Sequence, residues 1–193
     1  GVPLATHSSG ARGHILERVA RRVMETTMGE QACEPPSGVC INGAKRGRNS
    51  ETYDFMIGGR RVEVKSAQVK WAGTTNRWIA QWKNVKRDKY DDLLLVLYTP
   101  SGLYIFLHDD NYGVTTTGQS QHACGGKVQV YGTCNEPSIS AATDAIRAKL
   151  VSMHYATIGF SEFEDLVTTT TTHDAYEGVP LATHSSGARG DIL

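Results

Sequence analysis

Three charged residues surround a pair of glycines in a pattern that suits a β-hairpin. Gly58-Gly59 is a two-residue loop, and glycine accepts the positive φ angles that such loops need. This hairpin would set Asp54 opposite Glu63. Because side chains alternate between the two faces of a strand, Asp54, Glu63 and Lys65 are expected on one face, and an apolar set on the other: Tyr53, Phe55, Val62 and Val64. Two opposed carboxylates repel each other unless a cation lies between them, so the pattern predicts a divalent-metal site beside an ammonium group.

A helix precedes the hairpin and supplies a further carboxylate. Residues 14–28 carry apolar side chains at helical spacing, which predicts an amphipathic helix. Glu17 lies at the edge of that apolar stripe, four residues after Gly13. It is either an ordinary solvated glutamate or a neighbour of the hairpin carboxylates.

An aspartate followed on the next strand by acid-x-Lys resembles the PD-(D/E)xK nuclease family. Asp54 stands for the first acid and Glu63-Val64-Lys65 for the (D/E)xK element, while Gly13-x3-Glu17 resembles the first-helix glutamate of many members. The chain departs from the pattern at Tyr53, where the family name has proline. The resemblance covers residues 10–110 and implies a restriction-endonuclease-like α/β fold, with a mixed β-sheet of about five strands flanked by helices.

The resemblance implies phosphodiester hydrolysis that depends on Mg²⁺, for which Mn²⁺ would substitute. The implied metal ligands are oxygen atoms of Asp54, Glu63, Glu17 and the Val64 carbonyl, which suit a hard cation. Lys65 would orient the attacking water or stabilise charge on the phosphate. The alternative is a surface hairpin whose Asp, Glu and Lys form a salt-bridge cluster of little energetic value.

Net charge is zero, but the charges are unevenly distributed along the chain. Residues 1–90 hold 16 of the 20 Lys and Arg and 8 of the 20 Asp and Glu, which favours contact with a phosphate backbone in that half. The alternative for such residues is a solvated surface. The residues predicted to contact DNA are Arg18, Lys45, Arg46, Arg48, Lys70, Gln119 and Gln121; glutamine can read an adenine edge.

Length and composition predict one domain without a membrane span or a secretory signal. Neither pair among Cys33, Cys40, Cys124 and Cys134 has CxxC spacing, so free thiols are favoured over a zinc site. Free thiols are typical of an intracellular compartment, cytoplasmic or nuclear.

The organisation predicted along the chain is a nuclease domain over residues 1–160, followed by a tail. Strands are expected at residues 78–82, 93–98, 103–107 and 127–131, with 93–98 buried on both faces. A second amphipathic helix is expected at residues 141–153. Residues 161–193 form an acidic, Thr-rich tail or linker.

The tail ends in a near-copy of the start of the chain. Residues 178–193 repeat residues 1–16 with one change, His14 to Asp191. This suggests one unit of a tandem array with a period of 177 residues, and a cloning artefact or a duplicated terminus would give the same pattern.

Together these features predict a Mg²⁺-dependent endonuclease, sequence-specific and similar to type II restriction enzymes, that cuts double-stranded DNA as a homodimer. The alternatives are a nuclease that recognises branched or damaged DNA, a DNA-binding module without catalytic activity, and an interaction domain whose salt bridges mimic the motif.

Overall fold

The computed structural model describes residues 4–33, 35, 53–86, 89–109, 126–132 and 138–171. Within these ranges the chain forms three α-helices, a five-stranded mixed sheet and a three-stranded antiparallel sheet. The helices are α1 (Ser9–Met28), α2 (Ile139–Lys149) and α3 (Phe160–Thr171). Short 3₁₀ turns lie at Leu4–Thr6 and Val151–Met153. The predicted mixed α/β class is confirmed.

The larger sheet has the spatial order β1-β2-β5-β6-β8. Its strands are β1 (Phe55–Ile57), β2 (Arg60–Gln68), β5 (Asp92–Thr99), β6 (Gly102–Leu107) and β8 (His154–Ile158). Strands β2 and β5 are parallel, and the other neighbours in this sheet are antiparallel. The chain therefore has to cross over between β2 and β5, because parallel neighbours cannot be joined by a tight turn.

The crossover between β2 and β5 contains most of the second sheet. Its strands are β3 (Lys70–Ala72), β4 (Arg77–Val85) and β7 (Gly126–Tyr131), in the order β3-β4-β7. The predicted strand at residues 78–82 thus forms, but it belongs to this separate sheet and not to the main one.

Strand β5 is the centre of the core. Leu93 to Leu97 are at most 1% exposed, which confirms the expectation of a strand buried on both faces. One face, with Leu94 and Val96, packs against apolar residues of α1 and α3. The other face, with Leu93, Leu95 and Leu97, packs against β4, β7 and α2.

The second sheet is attached to the main sheet through Trp82. This side chain is fully buried, and its Nε1–H donates to the carbonyl oxygen of Val96 at 3.1 Å. The cover on this side of the main sheet is therefore a sheet together with a helix, where the sequence predicted helices alone.

Helix limits differ from those predicted in three places. Helix α1 begins at Ser9, five residues before the predicted start, because the Ser8 hydroxyl accepts the N–H of Ala11 and caps the first turn. Helix α2 begins at Ile139, two residues before the predicted start, and ends at Lys149, while Val151–Met153 in the predicted continuation form a 3₁₀ turn.

The predicted tail also needs correction where it begins. Residues 160–171 form α3, and Phe163 is buried against the α1 side of the sheet. The first part of the segment 161–193 is therefore part of the fold; residues 172–193, with the terminal repeat, lie outside the described residues.

Gly102, at the turn between β5 and β6, gives a test of this packing. Its φ of +145° is unfavourable for other residues, and an added Cβ would lie 2.6 Å from the carbonyl oxygen of Ile158. We expect Gly102→Ala to lower the free energy of unfolding by more than about 1 kcal/mol, measured by urea denaturation. Gly73→Ala is the matched control, because a Cβ there has nothing within 4 Å; equal losses in the two variants would contradict this account.

Candidate metal site at the edge of the main sheet

The predicted hairpin forms with the expected register. Phe55 pairs with Val62, Met56 with Arg61 and Ile57 with Arg60, around Gly58 and Gly59 with φ of 56° and 74°. Positive φ at both loop positions is what a type I′ turn requires, and glycine adopts it without steric cost.

Asp54 lies just outside this ladder and does not pair directly with Glu63 as predicted. The ladder ends at Phe55 and Val62, and the N–H of Asp54 donates to the Val62 carbonyl at 2.8 Å. The Asp54 carboxylate instead turns along β2, where its Oδ2 accepts the N–H of Val64 at 2.7 Å. The Asp54 carboxylate thus accepts the hydrogen bond that a neighbouring strand would otherwise accept at this edge of β2.

Tyr53 is also displaced from its predicted face. Phe55, Val62 and Val64 face α1 as expected, but Tyr53 packs with Ala67 and Leu95 on the opposite side of the sheet. The strict alternation of a strand does not extend to residues 53 and 54, because the chain leaves the ladder there.

Glu63 and Lys65 occupy one face of β2, as predicted. Both alternate with Val62 and Val64, and the Lys65 ammonium donates to Glu63 Oε1. Glu63 is buried, while the Lys65 side chain is 22% exposed. Removal of either partner would leave an uncompensated charge in a poorly solvated position.

The pKa of the Asp54 carboxyl is affected by the other three predicted residues, Glu17, Glu63 and Lys65. Burial raises the pKa of the Asp54 carboxyl well above its ordinary value of 3.8, and the negative charges of Glu17 and Glu63 raise that pKa further. The Lys65 charge and the hydrogen bond from Val64 act in the opposite direction. Asp54 therefore lies within electrostatic reach of Glu17, Glu63 and Lys65.

Glu17 approaches from the helix side of the sheet. Its side chain is 26% exposed, and its Oε2 lies 3.6 Å from Nδ1 of His14. Helix α1 passes over β2 close by, since a Cβ at Gly13 would lie 4.0 Å from Ser66 Oγ. That is ordinary contact, so packing alone does not require glycine at position 13. His14 is a member of this neighbourhood that the motif pattern did not reveal.

The carboxylates are neighbours, but they do not form a complete ligand set as they lie. Within the ranges that the structure describes, no three His, Cys, Asp or Glu side chains are arranged to hold a metal ion. Glu17 is thus close enough to affect the charge of Asp54 without completing a three-carboxylate site. The donors at this edge are nevertheless all oxygens, and Mg²⁺ is commonly held by one or two carboxylates plus substrate phosphate. Ligand roles for Glu17 and the Val64 carbonyl stay predictions.

The residues predicted to contact DNA are spread over several parts of the chain. Arg18 is half-buried on α1, and Lys70 is exposed on β3. Lys45, Arg46, Arg48, Gln119 and Gln121 lie outside the described residues. Of the four cysteines the structure describes Cys33, which is an exposed free thiol.

Comparison with protein-family models, curated protein sequences and solved structures found no significant match. Among the described residues, no helix is long and apolar enough to cross a membrane. The likeness to the PD-(D/E)xK pattern therefore depends on the residues of the hairpin and of α1.

Stability as a function of pH tests the charge state of Asp54. Because its folded-state pKa is raised, the folded protein binds more protons than the unfolded chain just above pH 3.8, and stability falls as pH rises through that window. Asp54→Asn keeps an acceptor for the Val64 N–H and removes the charge. We therefore expect this variant to be more stable than the parent at neutral pH, with the gain shrinking towards about pH 4. Thermal unfolding across this pH range measures the difference.

Asp91 is the matched control for that experiment. The side-chain and backbone hydrogen bonds from Arg61 lower its pKa to about 2, so its charge is favoured in the folded state. Asp91→Asn should not stabilise the protein at neutral pH. A gain in this variant equal to that of Asp54→Asn would mean that the effect reflects general charge removal and not the site.

Proposed function

We propose that this chain is a Mg²⁺-dependent endonuclease that hydrolyses phosphodiester bonds in double-stranded DNA. The observation that carries the proposal is the environment of Asp54, a buried carboxylate at a sheet edge with two further carboxylates and a lysine around it. A folded protein gains nothing from gathering like charges in a poorly solvated place. Such an arrangement is typical of a site that binds a cation or does chemistry.

Asp54 and Glu63 are the residues that would hold the metal ion, with Glu17 as a third candidate. A Mg²⁺ ion bound here would neutralise charge on a phosphate and lower the pKa of a water molecule. The repulsion that now raises the pKa of Asp54 would be relieved in the same event, because a cation stabilises ionised carboxylates.

Lys65 would act on the phosphate itself. Its ammonium is held by Glu63 on the same face of β2 and is partly accessible to solvent. In that position it can orient a water molecule or stabilise negative charge that develops on the phosphate oxygens. Its ion pair with Glu63 would have to loosen when Glu63 binds the metal, which would free the ammonium for substrate.

Sequence-specific cleavage as a homodimer is the finer form of the proposal. A subunit with one site cuts one strand at a time, so a duplex break needs two copies. A preference for branched or nicked DNA would instead indicate a structure-specific nuclease, and uniform ends at one sequence would favour the restriction-like alternative.

A DNA-binding module without catalytic activity is the second candidate. The specific observation in its favour is that, among the residues that the structure describes, no three carboxylates form a ligand set. In that case the Glu63–Lys65 ion pair would be a structural element only.

Plasmid cleavage distinguishes these candidates. With Mg²⁺ we expect nicked or linear product from the parent and none with EDTA, and we expect Lys65→Ala and Asp54→Asn to lose about 100-fold or more in rate, as loss of one transition-state contact does. Lys149→Ala removes a lysine from the end of α2 and should cleave at the parental rate. The nuclease proposal fails if the parent shows no metal-dependent product on plasmid, branched or single-stranded DNA.

Metal binding can be tested without any cleavage. We expect Mg²⁺ to raise the melting temperature of the parent, since a ligand that binds only the folded state stabilises it. The shift should be smaller in Glu63→Gln and absent in Asp54→Asn, as measured by differential scanning fluorimetry. The same shift in all three proteins would place the ion elsewhere.

A further inference from the structure

The outer face of the second sheet carries a set of cations that the candidate metal site does not use. Strands β3, β4 and β7 contain no Asp or Glu. Their basic residues are Lys70, Arg77, Lys83 and Lys127. We call the surface formed by these four residues the basic face.

The strand register puts all four cations on the same side of this sheet. Lys70 pairs with Ile79, and Lys83 pairs with Lys127. Direct partners in an antiparallel ladder share a face, and so do residues two apart along a strand. Arg77, Ile79 and Lys83 are therefore on one side of β4, together with Lys70 and Lys127.

The opposite side of the sheet is the one that packs against the core. Ala80, Trp82, Val128 and Val130 belong to the cluster that covers β5, and Trp78 packs against it. The basic face is consequently turned away from the main sheet and is separate from the face of β2 that carries Glu63 and Lys65.

The basic face contains a pair of opposed cations, Lys83 and Lys127. They lie directly opposite each other, which is unfavourable for two like charges unless an anion lies between them. Lys83 is exposed, and the Lys127 ammonium donates to Gln129 Oε1 at 3.1 Å. The same amide oxygen accepts a hydrogen bond from Gln81 at 2.7 Å, so a row of polar groups runs between the strands.

The dimensions of the basic face match a stretch of nucleic-acid backbone. Arg77 and Lys83 are six residues apart on β4, about 20 Å at 3.4 Å per residue. This corresponds to the axial rise of about six base pairs. Arg77, over the ring of Tyr131 at 5.8 Å, marks one end, and the two opposed lysines mark the other.

We propose that the basic face binds the phosphate backbone of a nucleic-acid duplex. Charge complementarity selects this partner, because a row of cations on three described strands that contain no Asp or Glu suits a regular polyanion and repels an ordinary basic surface. The inference does not require cleavage. It adds a second contact surface to the proposed function. This surface lies on the side of the second sheet that faces away from the core, and it would hold the duplex independently of the metal site.

Salt-dependent binding in EDTA tests this proposal without interference from cleavage. The probe is a fluorescently labelled 20-base-pair DNA duplex, followed by anisotropy from low to high salt, with an RNA duplex of the same sequence to distinguish the two nucleic acids. Each lost phosphate contact makes the negative slope of log K against log salt shallower by about 0.9. We therefore expect Lys83→Gln/Lys127→Gln to reduce the steepness of this slope by about two and to weaken binding.

Matched double variants make the result decisive. Lys70→Gln/Arg77→Gln changes the other end of the face and keeps the test valid if the first pair disturbs the fold, which circular dichroism would reveal. Arg22→Gln/Arg147→Gln removes the same charge from two helices, where both arginines form ion pairs on their own helix; this control should keep the parental slope.

The proposal is overturned if the parent binds neither duplex, if both basic-face variants keep the parental slope, or if the helix control loses as much as they do. The outcome is separable from that of the proposed function. Binding in EDTA does not depend on a metal ion, and Lys83→Gln/Lys127→Gln should keep the parental rise in melting temperature with Mg²⁺, because neither lysine belongs to the candidate metal site.

Discussion

The rest of the structure depends on the burial of β5 on both of its faces. Five consecutive apolar side chains, from Leu93 to Leu97, cannot be shielded by a single layer, because alternate residues point in opposite directions. Helices α1 and α3 cover one face, and the second sheet with α2 covers the other. The parallel neighbour β2 is thereby fixed in the interior of the sheet, with only the short strand β1 beyond it. The edge of β2 that β1 leaves uncovered is where Asp54 lies.

The candidate metal site follows from that short edge strand. Because β1 begins only at Phe55, the N–H of Val64 has no strand partner on that side, and the Asp54 carboxylate accepts it. The aspartate at the edge can then interact with groups on both sides of the sheet, Glu17 from the helix layer and Glu63 from the opposite face. The raised pKa of Asp54 means that this arrangement disfavours the ionised carboxylate. A bound cation would stabilise that ionised form.

Charge in the folded protein is not divided as the two halves of the sequence suggest. Asp91 and Asp92 come from the acidic half, but they form ion pairs with Arg61 and Arg60 of the hairpin. Those two arginines tie the hairpin to the start of β5. Four cations share one face of the second sheet, and one of them, Lys127, comes from the half of the chain with few basic residues. Spatial charge patterns depend on strand pairing, which the order of residues along the chain does not reveal.

The sequence by itself determined the local features of this protein. The Gly58-Gly59 turn and its register, the buried strand at residues 93–98 and the amphipathic character of α1 could all be predicted, because each depends on neighbouring residues and a fixed periodicity. The shared face of Glu63 and Lys65 was predictable for the same reason. Only the tertiary structure decided three features: the departure of Asp54 and Tyr53 from the ladder, the separate second sheet, and the pairing of Lys83 with Lys127. Those features depend on which strands meet across long sequence separations, and that choice is made by the packing of the whole core around β5.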